Sequence, residues 1–133
     1  MSADQQPDEI DRFYSSYGAA FAARDLDALE ALCEYPMALA DAAGRRQIID
    51  RSFYADLIDR FGQSRWATTR IDRVQKLPMG RDGAILIMEY ARLRADGSEL
   101  PEQELPFPRG CVYFLRRRDD GWKIVGLADH LPG

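Results

Sequence analysis

The sequence is poor in the residues that form disulfides and metal sites. Its 133 residues include two cysteines, Cys33 and Cys111, and one histidine, His130. The cysteines lie on a predicted helix and a predicted strand far apart in the sequence, so we expect two reduced core thiols and no disulfide. His130 has no Cys or His companions at the spacing of a zinc site. The sequence therefore predicts no metal site and no cofactor.

The sequence also lacks long apolar runs and an excess of basic charge. No apolar stretch approaches the roughly 18 residues of a membrane span, and the polar, acidic N-terminus is unlike a secretory signal. The 18 basic residues are interspersed among 22 acidic ones, so no positive surface is available for a phosphate backbone. Gly-rich phosphate loops and nucleophile elbows are missing too. We expect a cytoplasmic protein with neither membrane nor nucleic-acid partners.

The composition that remains is that of an ordinary globular protein, with 46% hydrophobic and 30% charged residues. A chain of this length forms one domain around one core. We expect a disordered N-terminus over residues 1–6 and a single domain over residues 7–133.

Three helices are predicted in the N-terminal half. Pro7 followed by two acids is typical of a helix start. Asp25 caps a short second helix that Pro36 terminates. A third helix is predicted to open at Gly44 and to end at Gly62. The apolar stripes of the three helices are Ile10, Phe13, Tyr14, Tyr17 and Phe21, then Leu26, Leu29, Leu32 and Cys33, then Ile48, Ile49, Phe53, Leu57, Ile58 and Phe61.

The rest of the pattern indicates β-strands. A short strand is predicted at 37–39, and longer ones at 66–77, 84–94, 111–117 and 122–127. Residues 100–108 contain three prolines, which restrict them to an edge, a bulge or a loop. This order predicts an α+β fold, in which a curved, mostly antiparallel sheet packs on three helices of the N-terminal half and leaves an open pocket.

Two polar side chains are predicted where apolar ones would pack. The Tyr17 phenol lies on the stripe of the first helix, and Asp41 ends the first strand. A carboxylate in an apolar pocket has a raised pKa and a phenol can donate to an oxyanion, so Asp41 is a candidate base and Tyr17 a candidate donor. In the alternative interpretation Tyr17 bonds a backbone carbonyl and Asp41 initiates the turn before Gly44.

Other candidate pocket residues are aromatic or charged. Arg92 and Arg109 either bind an acidic substrate or lie on the surface. Asp129 is a pocket acid, an arginine partner or part of a solvated tail. The aromatic candidates, which line the pocket or belong to the core, are Tyr14, Phe53, Trp66 and Tyr90.

Asp41 and three stretches, AARDLDAL at 22–29, GRRQII at 44–49 and DGWKI at 120–124, form a recognisable set. Together they resemble the nuclear transport factor 2-like superfamily, especially its SnoaL-like branch, which includes ketosteroid isomerases, polyketide cyclases and limonene epoxide hydrolases. The resemblance covers nearly the whole chain. It implies a SnoaL-like domain with a cone-shaped sheet, a mostly apolar pocket and a homodimer formed through the sheet.

The resemblance also implies site residues. Tyr17 matches the tyrosine that hydrogen-bonds the substrate oxygen in steroid isomerases, and Asp41 matches their general base. Asp129 resembles the acid on the last strand of cyclases and epoxide hydrolases. The sequence has no acid at 112–114, where isomerases have a neutral carboxylic acid. It has Glu89-Tyr90-Ala91 where epoxide hydrolases have Arg-x-Asp.

Together these features predict a protein that binds a small apolar molecule bearing a carbonyl or hydroxyl group. In one hypothesis it is a cofactor-free isomerase, cyclase or dehydratase that uses general acid/base chemistry. In the other it is a non-catalytic ligand-binding or dimerisation module. The two hypotheses differ in whether Tyr17 and Asp41 both reach a cavity of ligand size.

Overall fold

The computed structural model describes residues 5–105 and 107–130, with side chains from Glu9 onward. The predicted disorder falls largely on residues 1–4, which lie outside the described residues. Gln5 and Gln6 already belong to the first helix, since proline is tolerated within a first helical turn. The helices are α1 (Gln5–Ala22), α2 (Leu26–Glu30) and α3 (Arg51–Gln63). The strands are β1 (Cys33–Ala40), β2 (Arg46–Ile49), β3 (Thr68–Pro78), β4 (Gly83–Leu93), β5 (Gly110–Arg118) and β6 (Gly121–Asp129).

Within the described residues, six strands form one curved sheet in the order β2-β1-β6-β5-β4-β3. Neighbouring strands are antiparallel except β1 and β6, which are parallel. Apolar side chains of the helices and of one sheet face share a single buried cluster, which includes Phe13, Tyr54, Phe61, Leu86 and Ile124. The α+β prediction is confirmed. None of the helices in the described ranges has an apolar stretch that could cross a membrane.

The predicted start of the third helix at Gly44 is wrong. Residues 46–49 form β2, which pairs with β1 so that Ile49 lies opposite Met37. Ile49 is buried whereas Ile48 is 76% exposed, as expected for a strand whose successive side chains point to opposite faces. The helix begins after Asp50, whose carboxylate accepts a hydrogen bond from the Ser52 amide at 2.9 Å.

The predicted helical position of Cys33 is also wrong, because α2 ends at Glu30 and Cys33 opens β1. Both cysteines are free thiols. Burial raises the pKa of Cys33 to about 11 and that of Cys111 to about 12. Thiols with such pKa values are poor nucleophiles at neutral pH, which is typical of packed cysteines.

A β-bulge in β6 decides which of its side chains face the helices. Leu115 pairs with Ile124, but the next residue back, Phe114, pairs with Gly126, so Val125 is the extra residue. Before the bulge the inward residues of β6 are even-numbered, as at Ile124. After it they are odd-numbered, because one extra residue reverses the alternation of a strand. Leu127 is therefore buried, and the Asp129 side chain follows on the same face.

Candidate functional site

A cavity of about 410 Å³ lies between the helices and the inner face of the sheet. Aromatic and aliphatic side chains from α1, α3, β4 and β5 form most of its wall. The polar residues of the wall include five tyrosines, Arg92 and Asp129. The four predicted aromatic pocket residues, Tyr14, Phe53, Trp66 and Tyr90, line the cavity, and so does the predicted acid Asp129.

The Tyr17 phenol also lines this cavity. Its hydroxyl oxygen lies 3.1 Å from that of Tyr54, so the two hydroxyls share a hydrogen bond. The ring of Tyr113 meets the Tyr17 ring edge-on, with centroids 5.3 Å apart. Burial raises the pKa values of Tyr17, Tyr54 and Tyr113 well above the ordinary value. All three phenols are therefore neutral at physiological pH, and one hydroxyl of the Tyr17–Tyr54 pair donates to the other.

Asp129 is the acid in the cavity wall. Its Oδ2 accepts a hydrogen bond from the Ala42 amide at 3.1 Å. Its pKa is raised, chiefly because the half-buried carboxyl is desolvated, and the negative charge of Asp41 raises it further. A carboxyl group with these surroundings holds its proton more tightly than an ordinary aspartate does.

Asp41 lies outside the group of residues that line the cavity. Its Oδ1 accepts hydrogen bonds from the amides of Ala43 and Arg45, each at 3.0 Å, and its Oδ2 accepts from the Arg45 side chain at 3.1 Å. These hydrogen bonds and the charge of Arg45 lower the pKa of Asp41. The structure thus places Asp41 in the turn between β1 and β2, as the alternative interpretation expected, and does not bring it together with Tyr17.

The Arg109 side chain is likewise absent from the cavity wall. Its guanidinium donates to the carbonyl of Leu100 at 2.9 Å and, over longer distances, to those of Leu105 and Phe107. Arg109 therefore fastens the loop that precedes β5. The place of Arg109 in the pocket stays a prediction, and this loop takes up its donors.

Two tyrosines of the cavity wall, Tyr54 and Tyr113, were not predicted as site residues, whereas Arg92 was a candidate for binding an acidic substrate and does line the cavity. Tyr54 was missed because the third helix was started too early. Counted from Arg51, the buried stripe includes Tyr54 and Phe61, seven residues apart. On β5, Tyr113 is two residues from Leu115 and therefore shares its face of the sheet. On β4, Arg92 shares a face with Met88 and Tyr90. The two-residue alternation of these strands therefore indicated that both side chains face the cavity.

Among the described residues, no group of three or more His, Cys, Asp and Glu side chains could hold a metal ion. The wall does hold neutral phenol donors and an acid with a raised pKa. This arrangement can bind a polar group of a ligand and can exchange a proton with it.

A family described as NTF2-like protein (DUF6841) matches residues 8–132. This chain belongs to that NTF2-like family. The match confirms the predicted resemblance to the nuclear transport factor 2-like superfamily. No curated protein matches the chain.

Solved NTF2-like structures share the fold. An NTF2-like protein from Cytophaga hutchinsonii has a TM-score of 0.71 at 13% identity, covering 96% of this chain and 98% of that one. An NTF-2 like protein of unknown function from Shewanella oneidensis has a TM-score of 0.68 at 12% identity, covering 92% and 97%. A provisionally assigned ketosteroid isomerase from Shewanella frigidimarina has a TM-score of 0.63 at 12% identity, covering 88% and 90%. At these identities the likeness concerns the fold alone.

Proposed function

We propose that this NTF2-like protein binds a small, largely apolar molecule in the cavity. The volume of about 410 Å³ falls within the range of small-molecule sites, and aromatic side chains dominate the wall. The paired hydroxyls of Tyr17 and Tyr54 are suited to a carbonyl or hydroxyl group of the ligand. The observation that carries the proposal is the position of Asp129, an acid with a raised pKa in an otherwise mostly apolar wall.

General acid/base chemistry on that ligand is the second candidate function, and the environment of Asp129 favours it. A carboxyl group whose pKa is raised is a stronger base than an ordinary aspartate, which favours removal of a proton from a substrate. We assign the proton transfer to Asp129 and the hydrogen bond to the substrate oxygen to Tyr17, in an isomerase, cyclase or dehydratase reaction. The role of Asp41 as the base stays a prediction, and its contacts favour an indirect effect through its charge beside Asp129.

The non-catalytic alternative uses the same cavity for storage or transport of a ligand. In either case we place the protein in the cytoplasm and propose that it forms a homodimer through the sheet. A SnoaL-like assignment within the superfamily belongs to the catalytic version of the proposal, since the acid on the last strand is the feature that Asp129 shares with cyclases.

Two measurements test these functions separately. Native mass spectrometry of freshly purified protein should show a copurified small molecule. If none copurifies and the cavity binds no member of a panel of small apolar ketones and carboxylic acids, ligand binding is contradicted. Turnover on enolisable ketones and epoxides should fall at least a hundredfold in Asp129→Asn and less in Asp41→Asn. Equal rates for wild type and Asp129→Asn would leave binding without catalysis as the function.

A further inference from the structure

Four arginines among the described residues are partly buried, and two of them have a carboxylate partner. Arg94 pairs with Glu104 at 3.4 Å, and Arg117 pairs with Glu9 at 3.0 Å. Among the described residues, Arg92 and Arg109 are the two arginines that are partly buried and take part in no ion pair. Burying a guanidinium without a counterion is unfavourable, so each of the two requires an explanation.

The explanation for Arg109 lies in the loop before β5. Its two terminal nitrogens donate to three backbone carbonyls of that loop, and the partial negative charge of those oxygens stabilises the cation. The desolvation of Arg109 and the neighbouring charge of Arg92 lower its pKa. Backbone carbonyls of the protein therefore accept the hydrogen bonds of Arg109, and its positive charge lies near Arg92.

Arg92 has no comparable set of acceptors. Its guanidinium carbon lies 4.4 Å from the ring centroid of Tyr90 and 4.7 Å from that of Phe61, so the planar group is held between two aromatic rings. One hydrogen bond of 3.3 Å joins Nη1 to the Thr69 hydroxyl, and the buried Nε has no partner. A guanidinium has five N–H donors, and the bonds to the Thr69 hydroxyl and to the Tyr90 side chain occupy only part of them. The two aromatic rings fix the orientation of the group.

We propose that the ligand of this cavity carries a carboxylate and that Arg92 binds it. The inference rests on the proposed function and specifies in addition that the ligand is negatively charged. Arginine binds carboxylates through paired N–H donors, and a cavity wall that excludes water strengthens the attraction. The nearby charge of Arg109 acts in the same direction. A carboxylate supplies the counterion that no described residue provides.

Arg92 and Asp129 have different roles in this proposal, since Arg92 binds the carboxylate of the ligand and Asp129 transfers the proton. Asp129 lines the same cavity but forms no ion pair with Arg92 among the described residues. The ligand class is thus a small acid with an aromatic or aliphatic body, whose carboxylate contacts Arg92 while another part of the molecule reaches Asp129 and Tyr17. Neutral ketones of the same size lack the group that Arg92 recognises.

Isothermal titration calorimetry with matched pairs of probes tests the ligand charge on the wild-type protein. We would use phenylacetate with phenylacetamide and 2-naphthoate with 2-naphthamide, since each pair has the same apolar body and differs in the charge of one group. We expect at least one acid to bind tenfold or more tightly than its amide. This measurement requires no variant and stays informative if substitutions at Arg92 prevent folding.

Variants then assign the preference to a residue. Arg92→Gln should remove the preference for the acid and leave amide binding within threefold of wild type. Arg92→Lys keeps the charge but loses the planar group, so it should restore part of the preference. Arg24→Gln is the matched control, because the exposed Arg24 guanidinium lies 5.6 Å from the Trp66 ring outside the cavity wall. It should leave both affinities unchanged.

The outcomes separate this inference from the proposed function. If amides bind as tightly as acids in wild type, the cavity is a ligand site but the carboxylate inference is wrong. If the acid preference survives in Arg92→Gln or disappears in Arg24→Gln, Arg92 is not its source. If neither member of either pair binds, the proposed function fails and the inference fails with it.

Discussion

Asp41 and Asp129 are neighbouring aspartates with opposite pKa shifts, and the contacts of each side chain explain the difference. Asp41 accepts amide hydrogen bonds and contacts Arg45, which stabilises its charged form. Asp129 accepts one amide hydrogen bond, but it faces a mostly apolar cavity. The desolvation of the carboxyl group there favours its neutral form. Two carboxyl groups whose pKa values are pushed apart are typical of an acid/base site. Only Asp129, however, faces the space in which a substrate could bind.

The opposite shifts predict opposite pH dependences of stability. The folded state raises the pKa of Asp129, so stability is lost as the pH rises from the ordinary aspartate pKa through the raised value. We therefore expect Asp129→Asn to raise the Tm relative to wild type at pH 7 and to have little effect at pH 3. Differential scanning calorimetry at both pH values is the measurement.

Asp41→Asn serves as the comparison for that experiment. The folded state lowers the pKa of Asp41, so its contribution is present above the ordinary aspartate pKa and is lost as the pH falls through the lowered value. The variant should be less stable than wild type at pH 7, and the difference should shrink on acidification. The same trend for both variants would contradict the assigned environments.

The hydroxyl pair of Tyr17 and Tyr54 gives a second prediction at the residue scale. Removing one hydroxyl leaves the other without its partner, so Tyr17→Phe and Tyr54→Phe should each lower the free energy of unfolding by about 1–2 kcal/mol. The double variant should cost less than the sum of the two, since it leaves no orphan group. Urea denaturation followed by circular dichroism measures all three, and strictly additive costs would mean that the hydroxyls do not bond each other.

At the scale of elements, the Val125 bulge determines the chemistry of the cavity. Without it, Leu127 and Asp129 would face away from the helices, and Gly126 and Ala128 would take their places. The bulge therefore turns both the core residue Leu127 and the candidate acid Asp129 toward the helices. Bulges next to functional sites often have this effect of redirecting a side chain.

Deleting Val125 should accordingly have a large effect. We expect the deletion to lower the free energy of unfolding by about 3 kcal/mol or more, because the buried Leu127 side chain would be exposed or a cavity left in its place. Val125→Ala keeps the extra residue and should cost less than about 1.5 kcal/mol. Urea denaturation of both variants gives the comparison. A deletion as mild as the alanine substitution would show that the strand can realign.

At the scale of the whole molecule, the outer face of the sheet carries an apolar row. Leu77, Ile85 and Phe114 lie side by side on β3, β4 and β5, and Gly126 continues the row on β6. Leu77 and Phe114 are each 39% exposed. An exposed apolar row of this kind is typical of a surface that contacts a second protein, which fits the proposed homodimer.

A single charge in that row should prevent dimerisation. Wild type should have twice the monomer mass of 15.1 kDa in size-exclusion chromatography with light scattering, whereas Phe114→Arg should have the monomer mass. Ile48→Arg is the control, since Ile48 is 76% exposed on β2, away from the row. A monomeric wild type would rule out the dimer.

The sequence by itself determined the α+β class, the helix and strand order after residue 50 and most of the aromatic wall of the cavity. Periodicity suffices for these features, because a buried helix face repeats every three to four residues and a strand face every two. The β1–β2 hairpin was missed because two adjacent isoleucines fit a helix stripe as well as a strand.

Only the tertiary structure decided which polar groups reach the cavity. Asp41 and Asp129 each lie near the end of a strand, and no local pattern distinguishes them. The turn amides that hold Asp41 and the bulge that turns Asp129 inward arise from pairing between strands distant in the sequence. Arg92 and Arg109 likewise differ in their contacts, because a folded loop occupies the donors of Arg109 whereas Arg92 lines the cavity. Strand register and loop contacts are non-local, and they select the groups that face a ligand.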